Sequence, residues 1–179
     1  HPRLDGEPLI FVEVALMDEI ADSITPLLDE GAAPADLDKA TVAIFYSISN
    51  TQTGLRGVSF GDSLIKRVVE TLKSEFPRLK TFATLSPIPG LRGWLAKNVD
   101  AMLDKLDAKA RTELGRALGA EPHDTLHAAW EKPQTLDAKS PVRAFLLRCT
   151  AQYLARETAE GKPLDAVARF HLGNGARIE

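Results

Sequence analysis

The order strand, glycine-bearing loop, helix, strand between residues 41 and 85 constrains this chain more than any other feature. Residues 41–49 alternate, with Val42, Ile44, Tyr46 and Ile48 on one side and Ala43, Phe45, Ser47 and Ser49 on the other. That is the period of two of a β-strand, and it brings two serines out on one face at its end. Residues 62–76 change period: Leu64, Ile65, Val68, Val69, Leu72 and Phe76 recur at helical spacing, while Lys66, Glu70 and Lys73 face water. Pro77 ends the helix, and residues 80–85 make a second strand candidate. A βαβ-like unit follows, and with it an α/β (α+β) class in which a mixed sheet is flanked by helices.

The remainder fits around this unit. Residues 9–16 form a short apolar run interrupted by Glu13 and predict a strand; helical signals follow over 18–28, and 29–39 reads as an exposed linker. From 94 to 157 the pattern is helical, with Ser140 as N-cap, Pro141 at the first helical position, and Val142, Phe145, Leu146, Cys149 and Tyr153 as a buried stripe. A chain of 179 residues that is 44% hydrophobic supports one well-cored domain with a helical appendage. Its 22 basic and 25 acidic residues are interspersed, which leaves no basic stripe for nucleic acid. The single cysteine has no intramolecular partner, and no apolar run approaches the roughly 20 residues of a membrane span. A soluble, cytoplasmic protein without nucleic-acid or membrane partners is the expectation. His1-Pro2-Arg3 at one end, and an incipient strand over 177–179 at the other, read as a piece of a longer protein.

Chemical content concentrates in residues 51–62, TQTGLRGVSFGD, between strand and helix. Glycines let backbone approach a ligand, and the first turn of the helix offers unpaired N–H groups and about half a positive charge. A pyrophosphate meets those requirements; a tight connection whose glycines serve only the turn is an equal reading of the glycines alone. The segment is too short for a Walker loop and lacks its Lys-Ser/Thr pair. Arg56-x-x-Ser59-x-Gly61 resembles the signature with which acetyltransferases cradle the pyrophosphate of coenzyme A, with Ser59 in place of its first glycine.

Four segments resemble malonyl-CoA decarboxylases, in the order found in that family: AIFYSISNTQTGLRGV (43–58), LIKRVV with EFP (64–69, 75–77), LSPIPG (85–90) and VARFHLGNGA (167–176). The resemblance implies an acetyltransferase-like fold over residues 1–179, a catalytic acyl-CoA-binding domain with a helical insertion at about 97–140. It implies Ser86 and His171 as catalytic residues, and Ser47, Arg56, Gly57, Ser59, Gly61 and Asp62 as substrate-binding ones. It further implies malonyl-CoA as substrate, no metal or organic cofactor, and homo-oligomers assembled through regions outside this chain. Some members carry a glutamate where Ser59 stands, and a tyrosine of the family falls beyond Glu179.

Such chemistry needs few groups. Loss of CO2 from a malonyl thioester leaves an enolate whose charge rests on the thioester oxygen, where each pre-placed donor is worth roughly 2.7–4 kcal/mol; the carbanionic carbon then takes a proton. An imidazole with an ordinary pKa near 6.5 can serve as donor or acid near neutrality. His171 would take one of these roles, and Ser86 would hold the departing carboxylate or direct the proton donor. Considered alone, Ser86 beside Pro87 and Pro89 reads as a turn serine, Ser47 as structural, and His171 as a half-buried histidine; the resemblance reverses the balance for Ser86 and His171. His123 and His127, four apart without an intervening Glu or a third ligand, read as surface residues, and Cys149 as core. A CoA-dependent N-acetyltransferase and a non-catalytic acyl-CoA-binding module are the alternatives. The first would turn over only with an acceptor; the second would leave malonyl-CoA intact.

Overall fold

The computed structural model describes residues 7–29, 31, 36–51 and 61–179. They fall into two compact units, 1–87 and 88–179.

The first unit is built on a three-stranded sheet of order β1-β2-β3, with β1 at Ile10–Met17, β2 at Val42–Asn50 and β3 at Thr81–Thr84. β1 pairs antiparallel with β2 and β3 pairs parallel with it, so the sheet is mixed as expected. Bonds from Thr41 N–H to Met17 O and from Thr51 N–H to Leu9 O (both 2.9 Å) extend the first ladder at both ends. Helix α1, Gly61–Glu75, connects β2 to β3. Leu72 and Phe76 from its far end pack on Ala40, Ala43 and Leu79, together with Val14, Leu16 and Phe82 of the sheet. The Lys73 ammonium lies 5.3 Å from the centre of the Phe82 ring, a further tie between α1 and β3.

The strict alternation expected for β2 does not hold. Glu13 stands opposite Ser47 and Val14 opposite Phe45, so Tyr46 is an extra residue, a β-bulge. Directly opposed residues share a face of the sheet. Val14, Leu16, Ala43 and Phe45 therefore lie on the face that α1 covers, whereas Ser47 and Ser49 lie on the other, with Glu13 and Phe11. Without the bulge, Phe45 and Ser47 would share a face. The helix expected over 18–28 is reduced to a single 3₁₀ turn at Thr25–Leu28. Pro26 cannot donate a helical hydrogen bond, and the Ser23 hydroxyl takes the Thr25 N–H at 3.2 Å, which favours a turn instead.

The second unit is mainly helical: α2 at Leu91–Asp104, α3 at Ala108–Leu118, α4 at Pro122–Glu131 and α5 at Pro141–Arg156. Leu95, Val99 and Met102 of α2 meet Leu114 and Leu118 of α3, Leu126 of α4, and Val142, Phe145, Leu146 and Cys149 of α5 in one core. Leu95 and Leu126 are 2% and 1% exposed, and burial of such a side chain stabilises by about 1.5–3 kcal/mol. The stretch 97–139 thus shares its core with α5. Ser140 caps α5 by accepting the Val142 N–H at 3.2 Å, with Pro141 at the first helical position, and Asp107 caps α3 through the Ala110 N–H at 2.8 Å. A hairpin follows, β4 at Thr158–Ala159 and β5 at Lys162–Pro163, turning on Glu160 and Gly161, both at positive φ (54° and 74°). Helix α6, Ala166–Gly173, comes last. Residues 176–179 form no strand and join no sheet among the described residues.

Candidate functional site

In the first unit Ser47, Ser86 and the start of α1 lie toward one end of the sheet. β2 and β3 are last in register at Phe45 and Thr84, and the Leu85 N–H adds one more bond to Phe45 O at 3.0 Å. Ser47 and Ser86 each lie two residues beyond that last pair, Ser47 still within β2 and Ser86 past the end of β3. Ser47 is half-buried; Ser86 is exposed, in an irregular segment over 85–88 that contains Pro87. Because β3 begins beside Val42, the chain must return the length of β2 through α1. Gly61 and Asp62, the first two residues of α1, therefore start toward the end where β2 finishes. The carboxyl ends of parallel strands together with a helix start are where open α/β sheets receive ligands. Arg56, Gly57 and Ser59 lie outside the described residues.

His171 belongs to the second unit, in the last turn of α6. The turn expected after it is a Schellman motif: the Ala176 N–H bonds His171 O at 3.0 Å and the Gly175 N–H bonds Leu172 O at 3.1 Å. The motif needs a residue at positive φ, supplied by Gly175 at 86°. Two of the last carbonyls of the helix are satisfied in this way, and the backbone of His171 is fixed. The imidazole is half-buried, stands edge-on to Phe170 with ring centres 5.1 Å apart, and has its pKa lowered from the usual 6.5 by desolvation. At neutral pH it is therefore chiefly the neutral imidazole, able to donate from one nitrogen.

Sequence reasoning missed Asp165, the one polar side chain buried among the described residues, at 2% exposure. Its Oδ1 accepts the N–H groups of Val167 and Ala168, both at 3.0 Å, and so caps α6. Its Oδ2 accepts the Tyr153 hydroxyl of α5 and the N–H of Gly90, the cap residue of α2, both at 3.4 Å. Burial, with the Asp165 charge and hydrogen bond, pushes the Tyr153 pKa up and keeps its hydroxyl a donor. An Asp directly before an apolar run is an N-cap signal that could have marked Asp165. Its links to Gly90 and Tyr153, distant in sequence, carry no such signal.

The remaining candidates take quieter places. His123 lies 3.6 Å from Asp100, and the His127 ring sits 5.4 Å from that of Trp130. Arg92 is paired with Glu131 at 2.9 Å. Cys149 is fully buried, and desolvation raises its thiol pKa to about 11 over the opposing influence of Arg148 and Lys105. Among the described residues no group of three His, Cys, Asp or Glu could hold a metal ion, and no helix is long and apolar enough to cross a membrane.

Residues 1–179 match a family model described as the malonyl-CoA decarboxylase C-terminal domain. The chain belongs to the malonyl-CoA decarboxylase family. Among curated proteins, the mitochondrial malonyl-CoA decarboxylases of Anser anser anser and Rattus norvegicus are each 36% identical, covering 99% and 98% of this chain and 38% of their own length. Among solved structures, the malonyl-CoA decarboxylase of Rhodopseudomonas palustris is 47% identical with a TM-score of 0.73, over 99% of this chain and 39% of that one. The Cupriavidus metallidurans malonyl-CoA decarboxylase is 47% identical with the same TM-score of 0.73, over 98% of this chain and 43% of that one. This malonyl-CoA decarboxylase family member therefore spans about two fifths of the length of such relatives, and shares with them a mixed architecture of small sheets and helices.

Proposed function

We propose that this chain is the catalytic, acyl-CoA-binding part of an enzyme that converts malonyl-CoA to acetyl-CoA and CO2. The observation that carries this reading is the family match over the whole chain, joined to the placement of Ser47, Ser86 and the start of α1 at one end of the parallel strand pair. An acetyltransferase-like fold accords with the β2-loop-α1-β3 unit. In that arrangement the CoA pyrophosphate takes the start of α1, the residues proposed to bind it are Arg56, Gly57, Ser59, Gly61 and Asp62, and Ser47 is a further substrate-binding candidate on the other face of the sheet.

In the reaction, the bond between the carboxylate carbon and the α-carbon breaks and its electron pair moves into the thioester as an enolate. CO2 leaves, and the α-carbon takes one proton. A neutral imidazole is a donor that meets enolate oxygen without giving up its proton, so the lowered pKa of His171 supports a hydrogen-bonding role at that oxygen. Ser86, a hydroxyl in an exposed turn, suits the departing carboxylate or the group that supplies the proton. None of these steps calls for a metal or an organic cofactor, since coenzyme A itself stabilises the carbanion as its thioester. A cytoplasmic setting belongs to the same proposal, whereas the curated relatives are named as mitochondrial enzymes. Homo-oligomers would form through parts of the protein outside this chain.

The test is acetyl-CoA release from malonyl-CoA by the intact protein, with chelator and without an acyl acceptor. Chelator-insensitive turnover that falls at least a hundredfold in both His171→Ala and Ser86→Ala, with CoA affinity kept, is the expected result. Turnover only on addition of an amine would transfer the assignment to acyl transfer. Binding of CoA esters without turnover would transfer it to an acyl-CoA-binding module.

A further inference from the structure

We propose that Asp165 is a positioning residue for His171, acting through the second oxygen of its carboxylate. The inference rests on the reading of His171 as catalytic.

Helix α6 buries none of its own residues fully, and Val167, Ala168, Phe170, His171 and Leu172 are only half-buried, so packing by itself holds it loosely. Its two ends fix it. At the C-terminal end the Schellman motif holds His171 O, and at the N-terminal end Asp165 holds the first turn. Arg169 adds bonds to the carbonyls of Pro163 and Leu164, which anchor the same helix to the chain just before it. Capping alone would use one oxygen, and Ser, Thr or Asn would supply it without the expense of burying a charge. Oδ2 of Asp165 is instead turned inward, where it ties α6 to the buried Tyr153 of α5 and to the N–H of Gly90, the last residue of LSPIPG. Tyr153 is itself held: it is 3% exposed, with its ring 5.5 Å from that of Trp94. One buried carboxylate thus fixes the start of the His171 helix against α5 and against the first turn of α2. Both bonds to Oδ2 are long, and neutral donors at 3.4 Å offset little of the desolvation of a carboxylate. A purely stabilising role would not select this residue; fixing the position of the histidine six residues on would.

The test uses the intact protein and compares Asp165→Asn, Tyr153→Phe and His171→Ala, alone and combined. Asparagine keeps an oxygen for the cap and replaces the inward oxygen with an amide group that cannot accept from Gly90. Asp165→Asn is expected to lower kcat at least tenfold while the KM for malonyl-CoA stays within threefold. In the His171→Ala background the same change should cost less than twofold, because its effect passes through the imidazole. Tyr153→Phe keeps the ring packing and removes one of the two inward donors, so a drop in kcat of about threefold is expected, again absent in the His171→Ala background. Equal losses in both backgrounds, or full activity in Asp165→Asn, would overturn the proposal. Should Asp165→Asn not fold, the Tyr153→Phe cycle decides on the same criterion. If the unaltered protein releases no acetyl-CoA, it is the functional reading that fails. The imidazole C–H resonances of His171 then carry the test: a changed shift and titration in the folded variants upholds the positioning role, and an unchanged one overturns it.

Discussion

Gly90 approaches Tyr153 so closely that a Cβ built on it would lie 2.0 Å from the hydroxyl oxygen and 3.1 Å from the ring carbon that bears it. No side chain fits there unless the tyrosine withdraws, and withdrawal would break its bond to Asp165. Gly90→Ala is therefore expected to destabilise the protein by about 1–3 kcal/mol, the usual cost of overpacking. Combined with Tyr153→Phe, which removes the nearest atom, the loss should be smaller than the sum of the two single changes. A denaturant series on the four proteins measures that coupling, and strict additivity would count against the contact.

The pH dependence of stability has a definite sign at His171. Its native pKa lies below the ordinary 6.5 through desolvation, so between the two values the unfolded chain binds more protons than the native one. This contribution weakens the protein as pH falls through 6.5 and is relieved as pH rises above it. Urea midpoints at pH 7.5 and 5.5 should therefore differ less in His171→Gln than in the unaltered protein. For the same reason, decarboxylation should begin to decline on acidification at a lower pH than an imidazole of ordinary pKa would give.

Cys149 should be inert in the native protein. It has no exposed surface, and its thiol pKa is raised to about 11. Only thiolate reacts with alkylating agents, so iodoacetamide at pH 8 should leave the folded protein unmodified and label it once denaturant is added. Mass spectrometry reads the result directly, and fast labelling without denaturant would contradict the burial.

The bulge at Tyr46 makes opposite predictions for two neighbours. Phe45 is 2% exposed on the face packed under α1, and Phe45→Ala should cost about 3–5 kcal/mol. Ser47, half-buried on the other face, should tolerate alanine with a change within about 0.5 kcal/mol. Thermal melts of the two variants distinguish this arrangement from uninterrupted alternation, in which both residues would lie on one face. An effect of Ser47→Ala on malonyl-CoA binding without an effect on stability would support its place beside the substrate.

Local order came from the sequence alone. The existence of β2 as a strand, period 3.6 in α1, and the Ser140-Pro141 start of α5 with its stripe through Cys149 are each set by neighbouring residues, whose spacing decides which side can be buried. The segment strings around Ser47, Ser86 and His171 likewise carried the family assignment without reference to three-dimensional structure. Tertiary structure decided what spacing does not encode. Tyr46 becomes a bulge through pairing with β1, more than thirty residues earlier, and the strand signal over 177–179 joins no sheet among the described residues. The helix expected over 18–28 yields to Pro26 and local hydroxyl bonding. Asp165 is the clearest case. Its capping role is local and readable, whereas its second oxygen acquires meaning only when the fold brings Gly90, 75 residues away in sequence, and Tyr153 to the same buried carboxylate. A buried charge must be met by whatever donors packing delivers, and no pattern in the chain specifies which they will be.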